Sequence, residues 1–170
     1  MSPQAHNSSI SRAAHDRATW SRIVPVTSAI DVRLDTIQQD DLEFLRRLRN
    51  QERQWFFDRT EITEAAQQAW HQRLPLSPDT HWYLVRADNA RAGCFSIKVG
   101  MDGRAEVRCI LLSPEFRGRG VMTRAIHKAM ADLGPQLRYF AEVLPDNAES
   151  LKLFSRLGFA TRFVTEERTP

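Results

Sequence analysis

The stretch Ser113-Pro114-Glu115-Phe116-Arg117-Gly118-Arg119-Gly120-Val121-Met122 constrains the fold of this chain more than any other. It lies between a strand-like run, Ala105 to Leu112, and a segment from about Gly118 to Leu133 with helical apolar spacing. In that segment Val121, Ala125, Ala129 and Leu133 form one row, and Met122, Ile126 and Met130 the neighbouring one. A strand therefore feeds a helix that buries one face on a sheet, which fixes the helix N-terminus at the sheet's end. Such an N-terminus offers unpaired N–H groups and partial positive charge, and glycines let a phosphate approach the backbone. The turn suits a pyrophosphate, to which Arg117 and Arg119 can add charge-assisted contacts. The alternative is a surface turn with solvated arginines. Neither GxGxxG nor the P-loop Lys-Ser/Thr pair is present, which lowers the dinucleotide and nucleoside triphosphate readings.

Around this turn the pattern predicts one α/β domain from residue 31 to residue 170. A short strand at Val32 to Leu34 precedes a helix from about Asp41, with Asp40 as cap, Glu43 at N3, and Leu42, Leu45 and Leu48 buried. Trp55, Phe56 and Phe57 read as a further helical turn. Thr63 caps a helix running to Leu74, with Ala66, Ala69 and Trp70 inward and Pro75 and Pro78 stopping it. Strands follow at Trp82 to Arg86, Gly93 to Val99 and, after a turn at Asp102-Gly103, Ala105 to Leu112. After the Gly118 to Leu133 helix come a strand at Tyr139 to Val143, a helix from Ala148 to Leu157 closed by Gly158, and a strand at Phe159 to Val164. Residues 1–30 show no clean period and read as an extension with the composition of a disordered segment.

Composition narrows the function. The first 30 residues hold Arg12, Arg17 and Arg22 against Asp16, so a net +2 of the formal +3 belongs to the extension. Beyond it acidic and basic residues alternate, which argues against nucleic acid as the main ligand. No apolar run approaches the roughly 18 residues of a membrane span, and no secretory signal opens the chain, so a soluble, cytoplasmic protein is expected. Cys94 and Cys109 form neither a CxxC pair nor a zinc spacing with the scattered histidines. No metal is expected, and both read as buried thiols.

The 113–122 segment resembles the acyl-CoA pyrophosphate loop of the GNAT acetyltransferases, (R/Q)-x-x-G-x-(G/A), placed on Arg117, Gly120 and Met122. Met122 stands where that pattern has a small residue. Asn147-Ala148-Glu149-Ser150 through Phe154 to Leu157-Gly158-Phe159 resembles the same family's N-x-x-(A/S) helix ending in Gly-Phe. The resemblance implies the GNAT fold, a central mixed, mostly antiparallel sheet flanked by helices. It also implies acetyl-CoA, or another acyl-CoA, as co-substrate. Its contacts would be Ile110, Leu111 and Leu112 on a bulged strand, then Arg117, Gly118, Arg119, Gly120, Val121, Met122 and Thr123, with Asn147 and Phe154.

Transfer from a thioester to an amine needs a base, stabilisation of the developing oxyanion, and protonation of the leaving thiolate. Glu106, eleven residues before Arg117, has a spacing similar to that of the family's general-base glutamate; the alternatives are a strand carboxylate paired with Arg104 or Arg108, and His81 as base. Many members carry a tyrosine where this chain has Phe154, which cannot donate a proton. Ser150 resembles the serine of the ribosomal-protein N-terminal acetyltransferases and is the candidate acid.

For the acceptor, Leu48-Arg49-Asn50, Arg53, Trp55-Phe56-Phe57-Asp58 and Ile62-Thr63 resemble the N-terminal region of amino-sugar N-acetyltransferases. Arg49, Arg53 and Arg59 can meet a substrate phosphate, Trp55 or Trp82 can stack, and His81 and Tyr83 complete the candidate acceptor set. The expected reaction acetylates a primary amine of a small molecule in a ternary complex, by a monomer or homodimer. The alternatives are transfer to a protein or peptide N-terminus and a silent acyl-CoA-binding module.

Overall fold

The computed structural model describes residues 30–160; the extension lies outside them apart from Ile30. Its elements are β1 (Val32–Asp35), α1 (Leu42–Gln51), α2 (Glu64–Arg73), β2 (Thr80–Ala87), β3 (Ala90–Val99), β4 (Arg104–Leu112), α3 (Val121–Leu133), β5 (Arg138–Phe140) and α4 (Ala148–Arg156). Short 3-10 turns occupy Gln39–Asp41, Arg53–Trp55, Leu74–Leu76 and Pro114–Phe116. The sheet order is β1-β2-β3-β4-β5, antiparallel except for the parallel pair β4 and β5. This is the expected α/β architecture, a mostly antiparallel sheet flanked by helices.

Strand alternation sends consecutive residues to opposite faces. Val85, Phe95, Ile97 and Val107 meet Val121, Ala125, Ile126 and Ala129 of α3, with Phe154 and Leu157 of α4. On the other face Leu84, Cys94 and Leu111 meet Leu42, Leu45 and Leu48 of α1. The expected rows of α1 and α3 face the core, with Met130 and Leu133 half-buried towards the end of α3. The β2–β3 hairpin turns at Asp88-Asn89, both in the left-handed region (φ 48° and 70°), a two-residue loop of the primed kind that the sequence reading passed over.

Several boundaries differ from expectation. α3 starts at Val121 because Gly118 and Gly120 hold φ of 70° and 71°, which no right-handed helix admits. Asp40 is exposed and caps nothing; the 3-10 turn places Asp41 inside instead, where it accepts from the Gln38 amide (2.8 Å) and Arg91 Nε (2.7 Å). Thr63 does cap α2, its Oγ1 accepting from the Ala66 amide at 3.2 Å. The inward side of α2 is rotated from the expected one, since Ala66 and Ala69 are exposed while Gln67 is buried. Trp70 is half-buried, edge-on to Trp82 at 4.8 Å. The turn through Trp55 ends before Phe57, which is 70% exposed. β5 stops at Phe140 rather than Val143, because its pairing with β4 ends at Glu106↔Phe140. Of the expected last strand, Phe159 and Ala160 are irregular and the remainder lies outside the described residues.

Candidate active site

β4 is both bulged and forked. Cys94 pairs with Leu111 but Ser96 with Arg108, so Cys109 and Ile110 together stand opposite Phe95. Cys109 takes a left-handed φ of 55°, and the extra residue turns the strand locally. Beyond Glu106 the strand has no β5 partner, so the edge of Ile110, Leu111 and Leu112 is free to pair with something else. β3 approaches closely here: a Cβ on Gly93 would lie 2.0 Å from the Leu111 carbonyl oxygen.

A cleft of about 440 Å³ opens along this edge. One end is the loop and first turn of α3, where Arg124 N, donating to Gly120 O at 3.1 Å, is the first amide of the helix with a backbone acceptor. The Val121, Met122 and Thr123 amides are thus left as donors, at the positive end of a 13-residue helix. The Met122 side chain is only 3% exposed, so its bulk goes into the core rather than over its own amide. The opposite wall is the start of α4, capped by Asn147, whose Oδ1 accepts from the Ser150 amide at 3.1 Å. Glu52, Trp55 and Phe56, after α1, close the third side.

The cleft brings together Ile110, Leu111, Leu112, Arg117, Gly118, Gly120, Val121, Met122, Thr123, Asn147, Ser150 and Trp55 from the sequence reading. Other expected residues are placed elsewhere. Arg119 is exposed outside it, and Phe154 is buried in the core against Phe159 (ring centroids 5.0 Å apart). Tyr83 stacks on Phe95 (5.0 Å) on the α3 face, away from α1, and burial raises its pKa. His81, two residues earlier on β2, shares that face by alternation. Arg53 pairs with Glu61 at 3.5 Å at the surface. Glu106 sits at the fork itself, largely buried at 22% side-chain exposure and 3.4 Å from Arg108 Nη1.

Arg49 is half-buried on α1. It donates to Asp58 O, and its guanidinium lies 3.7 Å over the Phe56 ring. Burial lowers its pKa, while burial raises that of Cys109, against the opposing influence of Arg108 and Arg49. Glu52, Lys152, Leu153 and Arg156 also line the cleft, although the sequence reading singled out none of them. Glu52 accepts from Arg117 Nη2 at 2.7 Å, a contact 65 residues apart that no local pattern signals. Among the described residues no His, Cys, Asp or Glu cluster could hold a metal, and no helix is long and apolar enough to cross a membrane.

Residues 42–159 match the model of the family described as Acetyltransferase (GNAT). A spermidine N(1)-acetyltransferase of Escherichia coli is 26% identical over 142 residues, covering 78% of this chain and 75% of that protein. Among solved structures, a domain from Methanocaldococcus jannaschii matches with TM-score 0.68 and 19% identity, over 81% of this chain and 94% of that one. A Vibrio cholerae spermidine N-acetyltransferase in complex with CoA and spermine matches with TM-score 0.66 and 18% identity, over 78% and 82% of the two chains.

Proposed function

The chain belongs to the acetyltransferase (GNAT) family and is an acyltransferase, and from that premise we propose that it moves the acetyl group of acetyl-CoA directly onto a primary amine of a small molecule, both substrates being bound at once. The observation that carries this reading is the cleft, where a free strand edge leads into unpaired amides at the N-terminus of α3. The edge suits an amide-bearing arm and the helix start suits a pyrophosphate. Acetyl-CoA supplies the activated thioester.

The residues then divide the work. The Val121, Met122 and Thr123 amides bind phosphate oxygens, with Arg117 beside them. Backbone groups of Ile110, Leu111 and Leu112 orient the arm and oppose charge developing on the carbonyl oxygen. Glu106 takes the amine proton, directly or through water, from the point where β4 and β5 part. Ser150 stands on the far wall, where a leaving thiolate needs a proton. The edge is open because β5 stops pairing with β4 at Glu106, and the bulge opposite Phe95 turns the strand just beyond that point.

The spermidine acetyltransferase relative makes a polyamine one acceptor to test, beside amino sugars and peptide N-termini. The experiment is a screen of primary amines with acetyl-CoA, following thiol release and detecting product by mass. Small amines are expected to gain one acetyl group. Release of no thiol with any amine, by protein that binds acetyl-CoA, would reduce the protein to a binding module and sink the reading.

A further inference from the structure

We infer that the amine acceptor carries an oxyanion, a carboxylate or a phosphate, and that Arg49 is the residue that binds it. The inference rests on the transfer reading above and names the substrate class for it.

Arg49 has a buried guanidinium nitrogen, Nη1, without a hydrogen-bond partner, while Nη2 donates to Asp58 O. No carboxylate among the described residues lies within ion-pairing distance of it. A half-buried guanidinium keeps its charge and has donors to fill, so an unfilled buried N–H points to something that completes it. The group is fixed in place. Asn50 bonds both the amide and the carbonyl of Ile62 (2.8 and 2.9 Å), pinning the intervening loop, and Phe56 supports the flat guanidinium face. A planar guanidinium binds the two oxygens of a carboxylate or phosphate.

Its position fits the acceptor. Phe56, over whose ring the Arg49 guanidinium lies, lines the cleft on the α1 side. An amine reaching the thioester from the α1 side would thus set a neighbouring group against Arg49. The carboxylates of the same wall are engaged in the substrate-free protein. Glu52 is held by Arg117, Glu61 by Arg53 and Glu106 by Arg108, while the Asp58 carboxylate accepts from the Thr60 amide.

The test compares matched amines with and without the anion: β-alanine against β-alaninamide, and glucosamine 6-phosphate against glucosamine, with spermidine as the cationic case. The expected result is a kcat/KM advantage of about tenfold or more for the anionic member of one pair, as a charge-assisted contact gives. The pair that shows it tells carboxylate from phosphate. Arg49→Gln should abolish the advantage and Arg49→Lys should reduce it, with calorimetric affinity for acetyl-CoA unchanged. Neutral amines or spermidine turning over as well as the anionic ones would overturn the inference without touching the transfer reading. A preference undiminished in Arg49→Gln would do the same. Product from no amine at all would remove the transfer reading, and this inference with it.

Discussion

Gly93→Ala probes the close backbone approach of β3 to the part of β4 that lines the cleft. Gly93 is buried on β3, and an added Cβ would lie 2.0 Å from Leu111 O, 2.9 Å from Leu111 C and 3.0 Å from Leu112 Cα. All three are backbone atoms of the strand lining the cleft, so none can swing aside as a side chain would. Overpacking a core costs about 1–3 kcal/mol when side chains can adjust, so a backbone clash belongs at about 3 kcal/mol or above. For a chain of this size each kcal/mol lowers Tm by about 2–4 °C, giving an expected fall of about 6–12 °C. Gly103→Ala is the control: φ is 74° there, but a Cβ would meet nothing within 4 Å. It incurs only the left-handed strain, about 1–2 kcal/mol, far from the cleft. Circular dichroism melts and calorimetric titration with acetyl-CoA would be run on both variants. Gly93→Ala should lose stability and acetyl-CoA affinity together, Gly103→Ala some stability alone. A Gly93→Ala protein melting within about 2 °C of wild type, with full affinity, would refute the claim that β3 and β4 are in contact through backbone at this point.

Glu106→Gln should lower kcat by about 10²-fold, the usual effect of losing a general base, and leave acetyl-CoA affinity intact; wild-type turnover would remove Glu106 from the chemistry. Burial raises the pKa of both Cys94 and Cys109 above the ordinary thiol value of 9.0, so native protein at pH 8 should react slowly with a thiol reagent and unfolded protein quickly. The same shift has a stability consequence: a thiol whose folded pKa is raised contributes fully below pH 9.0, and the contribution is lost as pH rises from there through the folded value. Urea midpoints should therefore fall between pH 8 and pH 10, and Cys94→Ala should shrink that fall; an unchanged fall would assign it to other groups.

What was legible in the sequence is what local chemistry encodes. The rows Val121, Ala125, Ala129 and Met122, Ile126, with the glycines before them, announced a helix docked on a sheet with its N-terminus exposed. Gly118 and Gly120 refined the start, because positive φ at both delays the helix to Val121. The α2 face was misread because its alanines carry little burial preference, and Gln67 is drawn in where Ala66 was expected. The bulge at Cys109 leaves no mark in composition, since it is a register difference visible only when β3 is laid beside β4. Tyr83 and His81 were placed near the acceptor by their chemistry, yet strand parity turns them to the face of α3. Arg49, Arg53 and Arg59 were indistinguishable as letters. Only packing separates Arg59, exposed, and Arg53, paired with Glu61, from Arg49, half-buried with one buried nitrogen unfilled.

The remaining question is why Glu52, a residue with no motif, should hold Arg117. The pair is 2.7 Å apart, with Arg117 side-chain exposure at 44% and Glu52 at 19%. An ion pair with one partner so open to solvent contributes about 0–1 kcal/mol, too little to explain the arrangement as a source of stability. Its effect is positional. Arg117 also donates to Leu112 O through Nε and Nη2, both at 3.3 Å, so the side chain is drawn across the corner where β4 leaves the sheet. Under the proposed function, a pyrophosphate at the α3 N-terminus competes with Glu52 for this guanidinium at little cost, because the bond it displaces is weak. Glu52 follows directly on α1, three residues after Arg49, so the one helix end that carries the inferred acceptor contact also touches the loop proposed for the acyl donor.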